Sequence, residues 1–299
     1  MMALASTESR CKINLFLRVT GHRADGLHTL ETLFWPLEDP SDTLEADFDA
    51  DAPVFTFETD APEIAGGDNL VRLAAARYTG EANNAAYHAG VPWIAPSWRF
   101  RLTKRVPIAA GLGGGSADAA AALRLLEKRF GILGGEKLKA LALKLGADVP
   151  FFLDPRPAVG RGVGDELEYL PEGLPRLPLV LVAPGFPVRS EWAYRRFDEY
   201  GAEPSKGTLE GMLAGLKRGD LEQVARNIRN DLAPALWRKF PLLSGIRAEL
   251  EALGALGTEI SGSGPTIFAL LPDPASARRA AAELTEAHPR WRVFGAEEI

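Results

Sequence analysis

The sequence predicts an α+β fold in two domains, divided between residues 156 and 157, where Pro155 and Pro157 interrupt it. Its 299 residues exceed the usual length of one domain. Strand-like and helical segments follow one another without a regular βαβ period, which disfavours a doubly wound parallel sheet. Hydrophobic residues make up 46% and charged residues 25% of the chain, which excludes a disordered chain, a coiled coil and a fibrous repeat.

Charge and cysteine content narrow the function classes. The chain has 34 lysines and arginines and 40 aspartates and glutamates. Its net charge of −6 therefore gives no overall positive charge that would attract nucleic acid. The single cysteine, Cys11, cannot form an internal disulfide, which favours a reducing compartment. Residues 1–9 lack the pattern of a secretion signal, and the apolar run at 177–186 is too short to span a bilayer. We therefore expect a cytoplasmic protein, monomer or homodimer, with small-molecule partners and neither nucleic-acid nor membrane partners.

Hydrophobic periodicity and turn residues predict the order of the elements. Strands are expected at residues 13–19, 29–37, 98–103, 177–183, 266–271 and 291–294, with one or two more within 43–57 and a turn at 21–26. Helices are expected at 70–78, 116–130, 136–145, 191–200, 221–230, 241–253 and 274–287, and residues 147–153 are expected to turn into a strand. Ser116 is the expected N-cap of the alanine-rich helix, and Gly131 ends it.

Thirty glycines are distributed unevenly, with clusters at 111–116, 160–165 and 261–266. The first cluster, GLGGGS, directly precedes a helix, whose first turn carries unpaired N–H groups and partial positive charge. Glycines there allow an anion to approach the backbone, and phosphate is the usual ligand. The alternative is a tight loop before a buried helix, which would need only one glycine. The cluster at 160–165 is interpreted as a structural turn.

The loop matches neither common nucleotide fingerprint. Ser116 follows a glycine where the P-loop has lysine, and it occupies the third glycine position of the dinucleotide motif. Phosphate binding therefore has to be argued from the glycines and the helix rather than from either fingerprint.

Four segments together resemble the GHMP kinases, which include galactokinase, homoserine kinase and mevalonate kinase. VPIAAGLGGGSADAAAAL (106–123) resembles their phosphate-binding motif. KINLFLRVTGHRADGLHTLETLF (12–34) resembles the N-terminal motif, and LGADVPFF (145–152) and SGSGPTIFALL (261–271) resemble the later motifs. The resemblance implies an N-terminal ATP-binding domain (1–156) similar to domain 2 of ribosomal protein S5, and a ferredoxin-like C-terminal domain (157–299).

The resemblance also implies ATP as co-substrate with Mg²⁺, and phosphorylation of an alcohol. The GHRADGLH turn is most similar to members whose acceptor carries a cytidine diphosphate group, in the non-mevalonate route to isoprenoids. The implied ATP-binding residues lie mainly in the glycine loop: Pro107, Ala109, Ala110, Gly111, Leu112, Gly113, Gly114, Gly115, Ser116 and Ala117, with Asn69 and Lys104 beside them. No histidine or acidic cluster indicates a dedicated metal site, so Ser116 and the phosphates are expected to hold the Mg²⁺.

Asp148 and Lys12 form the implied catalytic pair. An alcohol is a weak nucleophile at neutral pH, so a carboxylate that accepts its proton is useful in phosphoryl transfer. From the residues alone, Asp148 is also compatible with a turn aspartate, and Lys12 with a solvated strand end. The resemblance assigns Asp148 as the proton acceptor and Lys12 as the cation beside it.

The acceptor is expected to bind to the residues that follow the N-terminal motif and to the last glycine motif. The predicted substrate-binding residues are Asn14, His28, Asp148, Tyr194, Gly262, Ser263 and Gly264. His28 would hydrogen-bond the cytosine edge and Tyr194 would stack on the base. Leu27 stands where the family commonly has tyrosine.

Two alternatives remain at this point. The chain could be another GHMP kinase, of the homoserine or mevalonate type. It could also be a non-catalytic nucleotide-binding protein on the same fold, against which the presence of both Lys12 and Asp148 argues.

Overall fold

The computed structural model describes residues 5–48, 55–90, 98–202 and 207–296. These residues form two compact units, each assembled from separate stretches of chain. Unit 1 comprises Met1–Arg10, Ser41–Val106 and Gly114–Pro155, and unit 2 comprises Cys11–Pro40, Pro107–Gly113 and Arg156–Ile299. The last change of unit falls next to the predicted boundary at 156/157. The domain ranges themselves stay a prediction, because the compact units are interleaved along the chain.

Strands and helices alternate irregularly, as the α+β prediction requires. The strands are β1 (Ala5–His22), β2 (His28–Asp47), β3 (Thr56–Thr59), β4 (Arg99–Thr103), β5 (Ala158–Arg161), β6 (Glu166–Tyr169), β7 (Leu179–Ala183), β8 (Arg229–Asn230), β9 (Gly257–Ile260), β10 (Ile267–Leu270) and β11 (Arg292–Ala296). The α-helices are α1 (Leu70–His88), α2 (Gly114–Phe130), α3 (Gly135–Leu145), α4 (Ser190–Tyr200), α5 (Leu209–Arg218), α6 (Leu221–Asn227), α7 (Ala233–Lys239), α8 (Pro241–Ala252) and α9 (Pro274–Ala287). Within the described ranges, none of these helices is both long and apolar enough to cross a bilayer.

Unit 1 is a small sheet with three helices. β4 pairs antiparallel with the end of β2 and parallel with β3. Phe100 and Leu102 of β4 are buried and the alternate residues are exposed, as expected of a half-buried strand. The α2 segment from Ala117 to Ala122 is buried throughout, and its short side chains let α1 and α3 pack closely against it.

Unit 2 contains a four-stranded antiparallel sheet in the order β11-β7-β10-β9. With helices between β7 and β9 and α9 between β10 and β11, this is the βαββαβ connectivity of a ferredoxin-like fold. All residues of β7 and β10 are buried, which explains their continuous apolar sequences. In the same unit, β8 pairs parallel with β1, and β5 pairs antiparallel with both β2 and β6.

Several sequence predictions of elements differ from the structure. β2 is one continuous strand, although separate strands were expected at 29–37 and within 43–57, because it pairs with β5 near its start and with β4 near its end. Phe151–Leu153 forms a 3₁₀ helix rather than the expected strand, since a short buried apolar run does not distinguish the two. α2 begins at Gly114, so Ser116 lies in its first turn and is not the N-cap.

Other predictions hold. α9 has the predicted bounds, Gly131 follows α2 with φ +62°, and Gly162 and Gly164 lie in the turn that joins β5 to β6. Five further elements, α5, α7, β5, β6 and β9, were not predicted from the sequence, although α5 buries Leu209, Met212 and Leu216 at helical spacings. The helix expected at 221–230 ends at Asn227, because residues 229–230 pair with β1 as β8.

A buried ionic cluster in unit 1 holds the chain that leads to α2. The ammonium of Lys104 donates to the carboxylates of Asp42 and Asp118, the second at 2.9 Å, and its side chain is 7% exposed. Ser9 Oγ donates to Asp118 Oδ1 at 2.7 Å. Asp42 Oδ1 also accepts from the backbone N–H groups of Arg105 and Val106, so the cluster joins the end of β4 to the buried face of α2.

The three charged groups in this cluster depend on one another. Burial disfavours the charged form of Lys104, but the carboxylates of Asp118 and Asp42 outweigh burial and raise the pKa of Lys104. Burial, together with the Asp42 carboxylate, raises the pKa of Asp118 against the effect of Lys104. Removal of the cation would therefore leave two buried carboxylates without a counter-ion in the cluster.

Replacing Lys104→Met is expected to lower the free energy of unfolding by about 3–5 kcal/mol, because an unpaired buried charge keeps its desolvation cost. The measurement is urea denaturation at neutral pH, with Lys139→Met on the exposed face of α3 as the matched control. Lys139→Met should stay within about 0.5 kcal/mol of wild type. Equal stability of the two variants would contradict the structural role of Lys104.

Candidate functional site

In unit 2, Lys12 lies in a buried hydrogen-bond network that starts from β1. Its Nζ donates to Asn14 Oδ1 at 2.7 Å and to the Gly111 carbonyl at 3.4 Å, and the residue is 4% exposed. Asn14 Nδ2 donates to Thr32 Oγ1 at 2.8 Å, and Thr32 Oγ1 donates to the Phe16 carbonyl. Lys12 is therefore held in one orientation, and Asn14 acts as the link between it and β2.

The glycine loop enters unit 2 through a close contact between two backbones. A Cβ on Gly111 would lie 2.0 Å from the Ser261 carbonyl oxygen and 2.8 Å from Gly264 N, and Gly111 has φ +79°. Ser261 Oγ donates to the Gly111 carbonyl at 2.9 Å, and Thr266 N donates to the Ala110 carbonyl. Glycine at 111 is required by packing of the chain on itself.

Gly262 lies beside the Lys12 network. With φ +53°, its hypothetical Cβ would be 3.1 Å from Asn14 Oδ1 and 3.6 Å from Lys12 Nζ. Asn230 Nδ2 donates to the Gly262 carbonyl at 2.8 Å and to the Ile260 carbonyl at 2.7 Å, which fixes the turn from β9 to β10. The hydroxyls of Ser263 and Ser190 are 3.0 Å apart.

In unit 1, the remaining loop residues form the first turn of α2. Gly114 packs against Val106, whose Cγ1 would be 2.9 Å from an added Cβ. Gly115 is exposed, and its Cβ would meet only Leu70 Cδ1, at 3.7 Å. Ser116 is half-buried and Ala117 is buried. Packing within the described protein thus explains Gly114 but not Gly115, where a glycine leaves the helix N-terminus open to a ligand.

Asp148 lies in the turn after α3, half-buried, in the same unit as this helix N-terminus. Val149 N donates to the Gly146 carbonyl across the turn. A Cβ on Gly146 would be 4.0 Å from Ser116 Oγ, so the turn that carries Asp148 adjoins the first turn of α2. The glycine loop's helix and the Asp148 turn therefore lie side by side within unit 1.

Lys12 belongs to unit 2 and Asp148 to unit 1. Their pairing therefore stays a prediction.

Asn69 and Lys104 already have structural partners. Asn69 caps α1, with its Oδ1 accepting from Val71 N at 2.8 Å and its Nδ2 donating to the Ile64 carbonyl. Lys104 lies between Asp42 and Asp118. Their contacts with a nucleotide stay predictions.

The other loop residues predicted to bind ATP divide between the units. Pro107, Ala109, Ala110, Leu112 and Gly113 lie in unit 2, where Leu112 is buried and its carbonyl accepts from Lys12 N at 3.0 Å. Ala109 is exposed with φ +50°, and its carbonyl accepts from Val188 N. The loop is therefore anchored on β1 and on the segment before α4.

His28 lies at the start of β2 in an aromatic cluster of unit 2. Its ring is 4.7 Å from that of Tyr194 and 4.2 Å from that of His22, measured between centroids. His28 Nε2 is 2.7 Å from Asp198 Oδ1, and His22 Nε2 is 3.0 Å from the same oxygen. The hydrogen bond with His28, followed by that with His22, lowers the pKa of Asp198. His28 and Tyr194 thus lie side by side, whereas Leu27 is 53% exposed, and the roles of His28 and Tyr194 in binding a base stay predictions.

Six residues that were not predicted from the sequence hydrogen-bond to predicted site residues or to the backbone beside them. These are Thr32, Asp42, Asp118, Asp198, Asn230 and Ser261. Asp118 had a detectable signal, because a single aspartate within an alanine-rich helix segment needs a buried partner. The others are polar residues whose partners lie far along the chain, and local patterns do not indicate such contacts.

Two GHMP kinase domain families match the chain. The family described as GHMP kinases N terminal domain matches residues 69–154, and GHMP kinases C terminal matches residues 212–290. The first match covers the glycine loop and Asp148, and the second covers Gly262, Ser263 and Gly264.

Relatives that match nearly the whole chain indicate a narrower family within the GHMP kinases. The 4-diphosphocytidyl-2-C-methyl-D-erythritol kinase of Rhizobium johnstonii is 41% identical over 98% of this chain and 92% of the relative. The enzyme of the same name from Methylobacterium radiotolerans is 40% identical, with 98% of each chain covered.

Solved structures agree with this assignment. A crystal structure of 4-(cytidine 5'-diphospho)-2C-methyl-D-erythritol kinase matches with a TM-score of 0.77 at 36% identity, covering 98% of each chain. A homoserine kinase from Cytophaga hutchinsonii, at 19% identity and TM-score 0.69 over 100% of this chain and 97% of its own, shares the fold alone. The two-domain GHMP kinase fold is thereby confirmed, and the chain belongs to the 4-diphosphocytidyl-2-C-methyl-D-erythritol kinases of the GHMP kinase superfamily.

Proposed function

We propose that this protein transfers the γ-phosphoryl group of ATP to the 2-hydroxyl of 4-diphosphocytidyl-2-C-methyl-D-erythritol, in the non-mevalonate route to isoprenoid precursors. Membership of the 4-diphosphocytidyl-2-C-methyl-D-erythritol kinases supports this choice of acceptor. The observation that carries the chemistry is the turn of Asp148 against the first turn of α2, which brings a carboxylate and an anion-binding helix end together in unit 1.

The reaction is a displacement at phosphorus. The acceptor oxygen forms a bond to the γ-phosphorus while the bond to the β,γ-bridging oxygen breaks, and ADP leaves. The proton of the acceptor hydroxyl passes to the Asp148 carboxylate. Positioning and charge stabilisation supply most of the rate in such transfers, and a placed base contributes about 10²- to 10⁴-fold.

Lys12 supplies positive charge near the transferred group. Asn14 Oδ1 and the Gly111 carbonyl hold its ammonium, so that its direction is set before a substrate arrives. This use of Asn14 supports a role in positioning Lys12, in addition to the acceptor contact that the resemblance implies.

ATP binds with its phosphates at the first turn of α2. The exposed Gly115 and the half-buried Ser116 offer backbone N–H groups and a hydroxyl. Mg²⁺ prefers oxygen ligands and keeps several waters, so the Ser116 hydroxyl with the phosphates fits it. The ion neutralises charge on the β- and γ-phosphates when it is bound. The remaining loop residues, with Asn69 and Lys104, form the rest of the proposed ATP-binding site.

The acceptor binds in unit 2. His28 and Tyr194, whose rings are 4.7 Å apart, receive the cytosine, since a neighbouring imidazole and phenol offer both hydrogen bonding and stacking. Gly262, Ser263 and Gly264 receive the acceptor's phosphates in the turn that Asn230 fixes. We place the enzyme in the cytoplasm, as a monomer or homodimer without nucleic-acid partners, on the basis of its net charge of −6 and its lone cysteine.

The alternative acceptors, homoserine and mevalonate, are not favoured. The structures of kinases for those substrates resemble this chain at 12–19% identity, which carries the fold and not the specificity.

Release of ADP tests the proposal directly. We expect turnover with the cytidyl acceptor, and a kcat/KM at least about 100-fold lower with homoserine or mevalonate, because these acceptors lack the cytidine group whose binding energy would position the hydroxyl. A coupled ADP assay with the three acceptors in parallel measures this. Turnover with homoserine or mevalonate alone would refute the proposed substrate.

Asp148→Asn is expected to lower kcat by about 10²- to 10⁴-fold, because the amide cannot accept the hydroxyl proton. ATP affinity should stay close to wild type, as measured by isothermal titration with a non-hydrolysable ATP analogue. Asp154→Asn, an exposed carboxylate six residues on, is the matched control and should keep its kcat. A near-wild-type kcat in Asp148→Asn would remove Asp148 from the mechanism.

Gly262→Ala is expected to lower kcat by about 10- to 100-fold with little change in the KM for ATP, because the added methyl presses on Asn14 and displaces Lys12. Steady-state kinetics give this result, with circular dichroism to verify the fold. Gly245→Ala in α8, where an added Cβ meets nothing within 4 Å, is the control. Equal kinetics in both variants would contradict the prediction that the position of the Lys12 ammonium limits kcat.

A further inference from the structure

Three side chains of unit 2 direct their metal-binding atoms at one point. His22 at the end of β1 and His28 at the start of β2 approach Asp198 Oδ1 with their Nε2 atoms, at 3.0 and 2.7 Å. One ligand atom from each residue lies within 4.8 Å of the other two. No such cluster was expected from the sequence, in which Asp198 lies 170 residues from His28.

The arrangement is held by packing on α4. Phe197 and Asp198 follow Tyr194 by three and four residues, so both lie on the same face of α4 as Tyr194. The ring of Phe197 meets the His28 ring nearly edge-on, with centroids 6.1 Å apart and an interplanar angle of 77°. The His28 side chain is only 10% exposed. One ligand is therefore rigid before any ion arrives.

The other two ligands are accessible. The side chains of His22 and Asp198 are 50% and 42% exposed, so an ion can enter from solvent and the ligands can adjust. In a tetrahedral zinc site, bonds of about 2.0–2.2 Å separate the ligand atoms by roughly 3.3 Å. Each histidine nitrogen already lies within about 0.6 Å of that spacing from Asp198 Oδ1, and the exposed side chains of His22 and Asp198 can adjust the distance between the two nitrogens.

We infer that His22, His28 and Asp198 form a binding site for Zn²⁺ or a similar transition-metal dication. Two imidazoles and one carboxylate suit zinc, cobalt and nickel, whereas Mg²⁺ prefers oxygen ligands alone. Three protein ligands leave at least one coordination position for water or for a donor atom of a bound molecule.

The consequence for catalysis rests on the proposed function. His28 is one of the residues that receive the acceptor base, so an ion on its Nε2 competes with the acceptor. Zinc is therefore expected to inhibit by raising the KM for the acceptor while leaving kcat unchanged.

Isothermal titration of the metal-free full chain with Zn²⁺, without ATP or acceptor, tests the site. We expect one equivalent of Zn²⁺ to bind at about pH 7.5, with the imidazole nitrogens as ligands. His22→Ala and Asp198→Asn should each weaken binding at least about 10-fold. His88→Ala, which removes an exposed histidine from the end of α1, should bind as wild type does. Co²⁺ absorption should report nitrogen and oxygen ligands in wild type and His88→Ala only.

Absence of Zn²⁺ binding in wild type, or an equal loss in His88→Ala, would overturn the inference and leave the proposed function intact. Conversely, zinc binding by a protein that phosphorylates none of the acceptors would refute the function and not the site. Where both hold, zinc held at a fixed free concentration should raise the KM for the acceptor in wild type but not in His22→Ala.

Discussion

The approach of the backbone at Gly111 to the backbone at Ser261 is the contact on which the Lys12 network depends. No side chain fits at 111, because its Cβ would lie 2.0 Å from a carbonyl oxygen. The same contact lets the Gly111 carbonyl accept from both Ser261 Oγ and Lys12 Nζ. The segments that contain Lys12, Gly111 and Ser261 are thereby joined by hydrogen bonds, although they lie far apart in sequence. The tightly packed backbone at Gly111 sets the direction of the Lys12 ammonium.

Glycines in the loop therefore have different causes. Gly111 and Gly114 are required by atoms of the protein itself, namely Ser261 and Val106. Gly115 is exposed and has room for a methyl group, so packing does not explain it. Its position in the first turn of α2 leaves N–H groups accessible to an anion. Gly113 has φ +71°, a backbone conformation that favours glycine whether or not a ligand binds. Of the glycines whose packing is described, Gly115 is therefore the one that supports a ligand.

The sequence predicted what local chemistry determines. α9 was predicted with its observed bounds because Asp273 caps it and Pro274 begins it, both local signals. β2 was divided wrongly because its continuity depends on β4 and β5, which lie far along the chain. Within the site, the motif residues Lys12, His28 and Asp148 were found through family resemblance. Asp198 and Asn230 were not, because their roles arise from partners that only the folded chain brings near.

The electrostatic potential at the N-terminus of α2 depends on which nearby side-chain charges are already paired with one another. Lys104 is near the loop in sequence, but Asp42 and Asp118 bind its ammonium, so it adds little positive potential for a phosphate. With both carboxylates ionised, this cluster would carry a net charge of about −1 beneath the N-terminus of α2, opposing an anion there. The raised pKa of Asp118 reduces that opposition, because a proton shared within the cluster brings its charge towards zero. The hydrogen bonds of Asp118 with Ser9 and Lys104 thus tie α2 to distant segments of unit 1, while its burial weakens the repulsion that a phosphate would meet.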